Sequence, residues 1–298
     1  MPSDPQFNRT IKKNDGNELL VDSQRVFFES SENMVKLEGE RIDLIITSPP
    51  YWNLKNYGHP EQIGHEVYEE YLERMSKVWD ECFKHSKKNA ILIINVGNRR
   101  FEKAYYPIAM DIYRTIRGWK LIENIIWFIP NALPQAKFYM DKMLDNKYEN
   151  VMVFAKSYHY DNTFNKVRIA QKYLSKDFRE GKLNKKGRCL GNVVRIPAYR
   201  PPNIKEGLYY EAAFPEELVD FLVRVFSNRH DKVLDPFLGS GTTLKITRNL
   251  ERFGFGYEIN KKLEPEIRRK ILESWSPMDF SKIDLINGFV TTNGKRRF

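Results

Sequence analysis

The sequence predicts an α/β protein with a mostly parallel sheet and helices on both faces. Short apolar runs at Ile42 to Thr47 and Ala90 to Val96 are bounded by polar or proline-containing turns, as buried parallel strands are. Between them, from Val67 to Ser86, apolar residues recur at three- and four-residue spacing, which predicts a helix with one buried face. Alternating strand and helix patterns of this kind are typical of an α/β sheet.

The remaining elements follow in order. Leu121 to Ile129 and Asn150 to Ala155 predict two further strands. At Phe214 to Glu217 a proline preorganises a first helical turn, and two carboxylates favour the positive end of the helix. Val233-Leu234 then predicts a short strand, followed by a glycine loop, a helix and the strand Phe253 to Ile259. This last part is therefore a βαβ unit.

Composition excludes several classes of protein. With 298 residues and 41% hydrophobic residues, the chain can build a full core. No apolar run approaches the roughly 20 residues of a membrane-spanning helix, and the start from Met1 to Asp15 is polar, so we expect a soluble, cytoplasmic protein. The two cysteines, Cys82 and Cys189, are too far apart for a zinc cluster or a disulfide framework, and no metal is expected.

The charge of the chain points to a polyanionic partner. Lys plus Arg number 49 against 39 Asp plus Glu, a net charge of +10. The segment Lys156 to Lys205 holds thirteen basic and three acidic residues. Its net charge of 13 − 3 = +10 equals that of the whole chain. Such a segment would bind phosphates by releasing their counterions. A lysine-rich face exposed to solvent is the alternative interpretation.

The glycine loop, Asp235 to Thr243, is the first chemical motif. Gly239 and Gly241 allow a tight turn or a close ligand approach, and the following helix start offers unpaired N–H groups. Glu258 follows Asp235 by 23 residues, close to the spacing at which an acidic residue reaches ribose hydroxyls. We therefore expect a nucleoside-like ligand at this loop.

Three other interpretations of the loop fit less well. A Walker-type phosphate loop needs a lysine where this sequence has Gly241, and a dinucleotide fingerprint needs a third glycine where it has Leu244. A ligand-free tight turn would explain the glycines but not the combination of Asp235 with Glu258.

The second motif is Ser48-Pro49-Pro50-Tyr51, which directly follows a predicted strand. Ligands of open α/β sheets bind at the carboxyl ends of strands. Two prolines make this loop rigid, while the serine offers a hydroxyl acceptor and the tyrosine a flat face for stacking. A plain strand-ending turn would explain the prolines alone.

Together the two motifs resemble those of the DNA amino-methyltransferases, and most closely those of the type II N4-cytosine enzymes. Ser48, Pro49, Pro50 and Tyr51 match the family's catalytic motif, and Val233 to Thr243 resembles its cofactor motif. The catalytic motif comes first, as in the β group. The resemblance implies a Rossmann-like methyltransferase fold that binds S-adenosyl-L-methionine. It assigns to the cofactor Asp235, Pro236, Phe237, Gly239, Ser240, Gly241, Thr242, Glu258, Phe214 and Asp22.

The implied activity is methyl transfer to the N4 amine of cytosine in duplex DNA, after the base has been extruded from the helix. Serine at position 48 favours cytosine; N6-adenine is the alternative. A catalytically silent DNA-binding protein on the same fold, or an enzyme acting on RNA or protein, are further alternatives. A restriction endonuclease acting independently is a plausible companion, and the enzyme is expected to be a monomer or homodimer.

The expected organisation has three parts: a catalytic half (1–156), a target-recognition region (157–202) and a cofactor-binding half with a C-terminal tail (203–298). Residues 53–60 are expected to form a mobile loop that closes over the extruded base. The expected DNA-binding residues are Arg168, Lys172, Lys185, Lys186, Arg188 and Arg195.

Overall fold

The fold is seen in a computed structural model that describes residues 16–54, 56, 58–134, 138–172, 182–199 and 214–284. The strands are β1 (Glu18–Val21), β2 (Gln24–Phe27), β3 (Ile42–Thr47), β4 (Ser86–Val96), β5 (Arg99–Phe101), β6 (Ala104–Tyr106), β7 (Lys120–Phe128), β8 (Tyr148–Ala155), β9 (Arg168–Lys172), β10 (Leu183–Cys189), β11 (Val193–Arg195), β12 (Lys232–Asp235) and β13 (Phe253–Tyr257). The helices are α1 (Tyr68–His85), α2 (Ile108–Thr115), α3 (Glu216–Phe226), α4 (Thr242–Asn249) and α5 (Glu264–Leu272).

One nine-stranded sheet organises these elements in the order β1-β2-β13-β12-β3-β4-β8-β7-β11. The five strands β2, β13, β12, β3 and β4 are parallel, whereas β8 is antiparallel to both of its neighbours and β1 is antiparallel to β2. The prediction of a mostly parallel sheet is therefore confirmed. Two small hairpins, β5–β6 and β9–β10, lie outside the main sheet.

Helices cover both faces of the sheet, as predicted. On one face, α1 and α2 pack Tyr71, Trp79 and Ile112 into a core with the sheet. On the other face, α3 and α4 contribute Leu222 and Ile246 to a second core. The apolar stripe that the sequence predicts between Val67 and Ser86 is the buried face of α1, since Tyr71 and Trp79 are fully buried.

Most predicted boundaries shift by one or two residues, and two differences are larger. Strand β4 begins at Ser86 rather than Ala90, because α1 passes directly into it and Lys87 to Asn89 form an exposed start without apolar residues. Strand β11 lies inside the expected target-recognition region but pairs in parallel with β7, and Val194 is fully buried. The main sheet therefore extends into the segment 157–202.

No helix in the described part of the chain is long and apolar enough to span a membrane. Cys82 is buried, Cys189 is exposed, and both are free thiols.

Candidate active site

The two motifs begin side by side at one edge of the sheet. Strands β12 and β3 pair in parallel, with Leu234 opposite Ile45. Just beyond this pair, the hydroxyl of Thr47 donates a hydrogen bond to Asp235 Oδ1 at 2.7 Å. The loop that starts at Ser48, here called the catalytic loop, therefore leaves the sheet beside the glycine loop. Thr47 and Asp235 are 188 residues apart in the chain.

The Asp235 carboxylate organises the glycine loop from within. Besides the bond from Thr47, it accepts one from the Thr243 hydroxyl at 2.6 Å and one from the Phe237 N–H at 3.0 Å. Burial raises the pKa of this carboxyl group to about 6. The neighbouring Pro236 is buried. Both Asp235 oxygens thus accept hydrogen bonds from protein groups. Direct contact between Asp235 and a cofactor stays a prediction.

Two glycines give the loop its shape. Gly239 and Gly241 have φ angles of +55° and +95°, in the left-handed region that other residues avoid. Gly241 is the N-cap of α4, and a Cβ atom there would lie 3.4 Å from Ile267 Cγ2. Around Gly239, by contrast, a Cβ would meet nothing within 4 Å. The loop is therefore supported beneath Gly241 and open above Gly239.

Glu258 lies where the sequence spacing predicts it, directly after β13 and against the glycine loop. Its Oε2 accepts a hydrogen bond from the Gly239 N–H at 3.0 Å, and its Oε1 accepts one from the Asn260 N–H at 2.8 Å. Burial raises the pKa of this carboxyl group to about 7. A carboxylate at the end of the neighbouring strand is suited to accept hydrogen bonds from ribose hydroxyls.

A cavity of about 360 Å³ adjoins the glycine loop. Phe214, Ser240 and Thr242 line it, so three of the residues assigned to the cofactor share one pocket. Tyr199 and charged side chains, mostly from α3 and α5, form the rest of its wall, and among these Glu216 and Lys270 form an ion pair.

The structure does not bring Asp22 to this pocket, and that assignment is wrong. Asp22 lies in the turn between β1 and β2, is exposed, and is bound to Arg248 at 2.6 Å. Strand β2 pairs in parallel with β13, Gln24 lying opposite Gly254 near the start of β13. Asp22 therefore lies at the opposite edge of the sheet from Glu258.

Glu29 is the acidic residue that the fold places at the correct edge. It follows the carboxyl end of β2, and the preceding Phe27 carbonyl accepts a hydrogen bond from the Glu258 N–H at 3.0 Å. Its charge is close enough to Tyr257 to contribute, after burial, to the raised pKa of that hydroxyl. Glu29 belongs to neither sequence motif, and β2 is too short to be recognised as a strand from the sequence.

The catalytic loop is held by side chains from other elements. The Tyr71 hydroxyl of α1 donates to the Pro50 carbonyl at 3.0 Å. Pro49 is buried, and Ser48 is partly exposed with its Oγ 3.5 Å from the Asn95 amide nitrogen. Tyr71 and Asn95 thus hold the loop in place through hydrogen bonds to Pro50 and Ser48.

Tyr51 belongs to a hydrogen-bonded group whose other members, Glu149 and Asn95, lie outside both sequence motifs. Its hydroxyl donates to Glu149 Oε2 at 2.6 Å, and the Asn95 amide donates to the same oxygen at 2.8 Å. A Cβ atom on Gly97 would lie 3.4 Å from the Tyr51 ring and 3.3 Å from Glu149 Oε1. Burial and the Glu149 charge hold the pKa of the Tyr51 hydroxyl well above its usual value.

Trp52 supports the loop rather than presenting a face to a ligand. It is 8% exposed, its indole N–H donates to the Glu66 carbonyl at 2.7 Å, and its ring packs against Tyr106 at 4.5 Å between centroids. Beyond it, the Asn53 N–H donates to the Gly64 carbonyl. Lys55 and Tyr57 lie outside the described residues, and closure of the segment 53–60 stays a prediction.

The expected DNA-binding residues have unequal surroundings. Arg168 and Lys186 lie on the β9–β10 hairpin, where the Arg168 guanidinium reaches the Lys186 carbonyl at 3.4 Å. Arg188 forms an ion pair with Asp284, so its guanidinium is already engaged. Arg195 is on β11, partly buried at the edge of the main sheet. The side chains of Lys172 and Lys185 lie outside the described residues.

Fold and site together have the form of an α/β enzyme with a glycine loop of nucleotide-binding type beside the catalytic loop. The chain belongs to the DNA methylase family N6_N4_Mtase, whose profile matches residues 42–269. The expected methyltransferase fold and the expected cofactor, S-adenosyl-L-methionine, are confirmed by this membership and by the solved structures described below.

Named relatives agree with this membership. The chain is 29% identical over 75% of its length to the type II methyltransferase M.MwoI of Methanothermobacter wolfeii, of which it spans 30%. It is 26% identical over 90% of its length to M.MjaI of Methanocaldococcus jannaschii, of which it spans 98%. The chain thus spans nearly the whole of one relative and less than a third of the other.

Solved structures share the fold. The PvuII DNA methyltransferase, described as cytosine-N4-specific, superposes with a TM-score of 0.62 at 20% identity, covering 91% of this chain and 93% of that one. A Thermus thermophilus protein assigned as a DNA modification methylase, solved with S-adenosyl-L-methionine, gives a TM-score of 0.56 at 26% identity. That match covers 83% of this chain and 93% of that one.

Proposed function

We propose that this protein transfers a methyl group from S-adenosyl-L-methionine to the N4 amine of cytosine in duplex DNA, as a site-specific type II modification enzyme. The single observation that carries the proposal is the hydrogen bond from Thr47 to Asp235, which joins the starts of the catalytic loop and the glycine loop. A methyl donor over one loop and an acceptor base over the other would be within reach of each other.

The glycine loop fits this cofactor. The space over Gly239 admits a ligand, Glu258 is suited to the ribose hydroxyls, and Phe214 and Ser240 line the adjoining cavity where the methionine part would lie. Glu29, at the carboxyl end of β2, takes the place of Asp22 as the acidic residue nearest the adenosine end. When bound, the cofactor supplies an electrophilic methyl group on sulfur.

The catalytic loop fits an aromatic amine. The lone pair of such an amine is delocalised into the ring, so the site must favour the geometry in which that pair points at the methyl carbon. Ser48 Oγ and the Pro49 carbonyl would accept hydrogen bonds from the amine and thereby orient it. Tyr51 would stack on the extruded base and replace its lost neighbours in the helix.

The choice between cytosine and adenine rests on Ser48, since the resembling family uses serine mainly for cytosine. To test it, the protein is incubated with cofactor labelled in the methyl group and with bacterial DNA that lacks its own methylation. The DNA is then digested to nucleosides. We expect label on N4-methylcytosine. Label on N6-methyladenine would overturn the cytosine assignment but not the proposal that the protein methylates DNA.

Duplex DNA is the proposed partner because the basic segment between the two motifs supplies cations for phosphates. The β9–β10 hairpin, with Arg168 and Lys186, is its proposed contact. Competition between duplex DNA and RNA of the same sequence tests this: methyl transfer that RNA suppresses equally well would contradict it. No transfer to any nucleic acid would favour the catalytically silent DNA-binding protein. A companion endonuclease and the monomeric or dimeric state are further proposals.

A further inference from the structure

We propose that Glu149 is a positioning residue of the catalytic loop, holding the Tyr51 ring in the orientation that receives the extruded base. The inference deepens the proposed function and rests on it. Glu149 acts through the Tyr51 hydroxyl, and Asn95 holds Glu149 in turn. Of these three residues, only Tyr51 belongs to either of the two sequence motifs.

Three elements converge on this carboxylate. Strands β4 and β8 are antiparallel neighbours, with Asn95 opposite Val151 and Val96 opposite Asn150. Glu149 is therefore the next residue of β8 towards the edge from which the catalytic loop leaves. Its Oε2 lies 2.6 Å from the Tyr51 hydroxyl and 2.8 Å from the Asn95 amide nitrogen. A single oxygen thus connects strands β4 and β8 to the catalytic loop.

The surroundings make this arrangement specific. Burial raises the pKa of the Glu149 carboxyl group, which means that removing it from water costs free energy unless donors compensate. Tyr51 and Asn95 are those donors, and hydrogen bonds to a carboxylate are the stronger kind. Gly97 leaves the necessary space, because a Cβ atom there would press on both the Tyr51 ring and Glu149 Oε1.

The consequence for the reaction is orientational. A tyrosine whose hydroxyl is fixed at one end and whose backbone is fixed between Pro50 and the buried Trp52 has few orientations left for its ring. The same Asn95 amide is 3.5 Å from Ser48 Oγ, so the network touches both side chains proposed to contact the base. Loss of Glu149 should therefore impair the chemical step more than cofactor binding.

The experiment uses the full chain and a duplex containing its mapped methylation site. The variants are Glu149→Ala, Glu149→Gln, Tyr51→Phe and the double variant Tyr51→Phe/Glu149→Ala. Glu73→Gln, on the exposed face of α1, is the matched control. For each we measure kcat, the KM for DNA, cofactor affinity by calorimetry, the thermal midpoint, and the fluorescence of 2-aminopurine placed beside the target base, which reports base extrusion.

We expect Glu149→Ala to lower kcat by a factor on the order of 10 to 100, with cofactor affinity within about twofold of the parent. Glu149→Gln should recover part of the rate, because its amide oxygen can still accept the Tyr51 hydroxyl. The double variant should be no slower than the slower single variant, since both changes break the same contact.

Unchanged kcat in Glu149→Ala would overturn the inference, and so would rate losses that multiply in the double variant. A parallel fall of kcat, cofactor affinity and thermal midpoint would also overturn it, because it would indicate a purely structural residue. If the parent itself transfers no methyl group to DNA, the proposed function fails, and that result is distinct from every outcome above.

Discussion

The glycine loop and the catalytic loop leave neighbouring strands, yet they are held in different ways. Contacts within the glycine loop's own part of the chain fix most of its shape: Thr243 to Asp235 spans 8 residues and Gly239 to Glu258 spans 19. The catalytic loop is held by partners up to 98 residues away. For the glycine loop, the sequence therefore reveals both the loop and most of the residues that hold it. For the catalytic loop, the sequence reveals the loop but not the residues that hold it.

The largest expected effect is that of Ser48→Ala in the catalytic loop. Removing the hydroxyl acceptor should lower the rate of methyl transfer by a factor on the order of 100 or more, with cofactor affinity unchanged. Single-turnover transfer and calorimetry with cofactor measure the two quantities. Ser274→Ala, well away from both loops in the sequence, is the control. Loss of cofactor binding with transfer retained would mean that the roles of the two loops are inverted.

Gly241→Val should act on the other loop alone. A β-branched residue at a φ of +95° is strained by roughly 1–3 kcal/mol, and its side chain would also press on Ile267. We expect weaker cofactor binding and a lower free energy of unfolding in urea. Gly239→Ala, at a φ of +55° with open space around it, should cost less, about 1 kcal/mol. Equal costs at the two glycines would contradict this account of the loop.

Thr47→Val tests the connection between the loops. It removes the hydroxyl that bonds to buried Asp235, which should lower the free energy of unfolding by about 1–3 kcal/mol. We expect both cofactor affinity and the transfer rate to fall. Thr243→Val removes a bond to the same carboxylate from within the glycine loop, so cofactor affinity alone should fall. Identical profiles for the two variants would mean that the loops are not held separately.

The smallest effect concerns pH. The pKa of Glu258 is raised to about 7, so its carboxyl group is protonated more readily in the folded than in the unfolded chain, and its ionisation makes the ligand-free protein less stable as pH rises towards 7. Ribose hydroxyls that donate to the ionised form should favour binding above pH 7. We therefore expect the affinity for S-adenosylhomocysteine to fall below pH 7, by at most about tenfold per pH unit.

Calorimetry between about pH 5.5 and 8.5 measures this dependence. In Glu258→Gln the group cannot ionise, while Asp235 is unchanged, so the difference between the two proteins isolates Glu258. A variant with the same pH dependence as the parent would assign the titration to another group.

Long or strongly patterned elements could be predicted from the sequence. The strands β3, β7, β8 and β13, and the helices α1 and α3, are where periodicity and turn residues place them. Strand β2 could not be predicted, because it is four residues long and its Gln24 is a fully buried polar residue. The Gln24 amide donates to the Arg252 carbonyl at 3.0 Å, a contact 228 residues away that no local pattern contains.

The site shows the same division. Ser48, Tyr51, the two loop glycines and Glu258 are predictable because each belongs to a short motif or a fixed spacing. Asp22 follows the carboxyl end of β1, but β1 is antiparallel to β2, so this end lies at the edge of the sheet opposite to Glu258, which only the strand pairing reveals. Asn95 and Glu149 lie on or beside predicted strands, but only strand order reveals that they meet.

The direct pairing of β3 with β12 has one more consequence, for turnover. Neighbouring strands are held about 4.8 Å apart, and here the apolar residues of both are fully buried, so the distance between donor and acceptor sides is built into the scaffold. No hinge has to close to bring them into range. We therefore expect the pairing of β3 with β12 to persist through the catalytic cycle, with any rearrangement on product release confined to the loops.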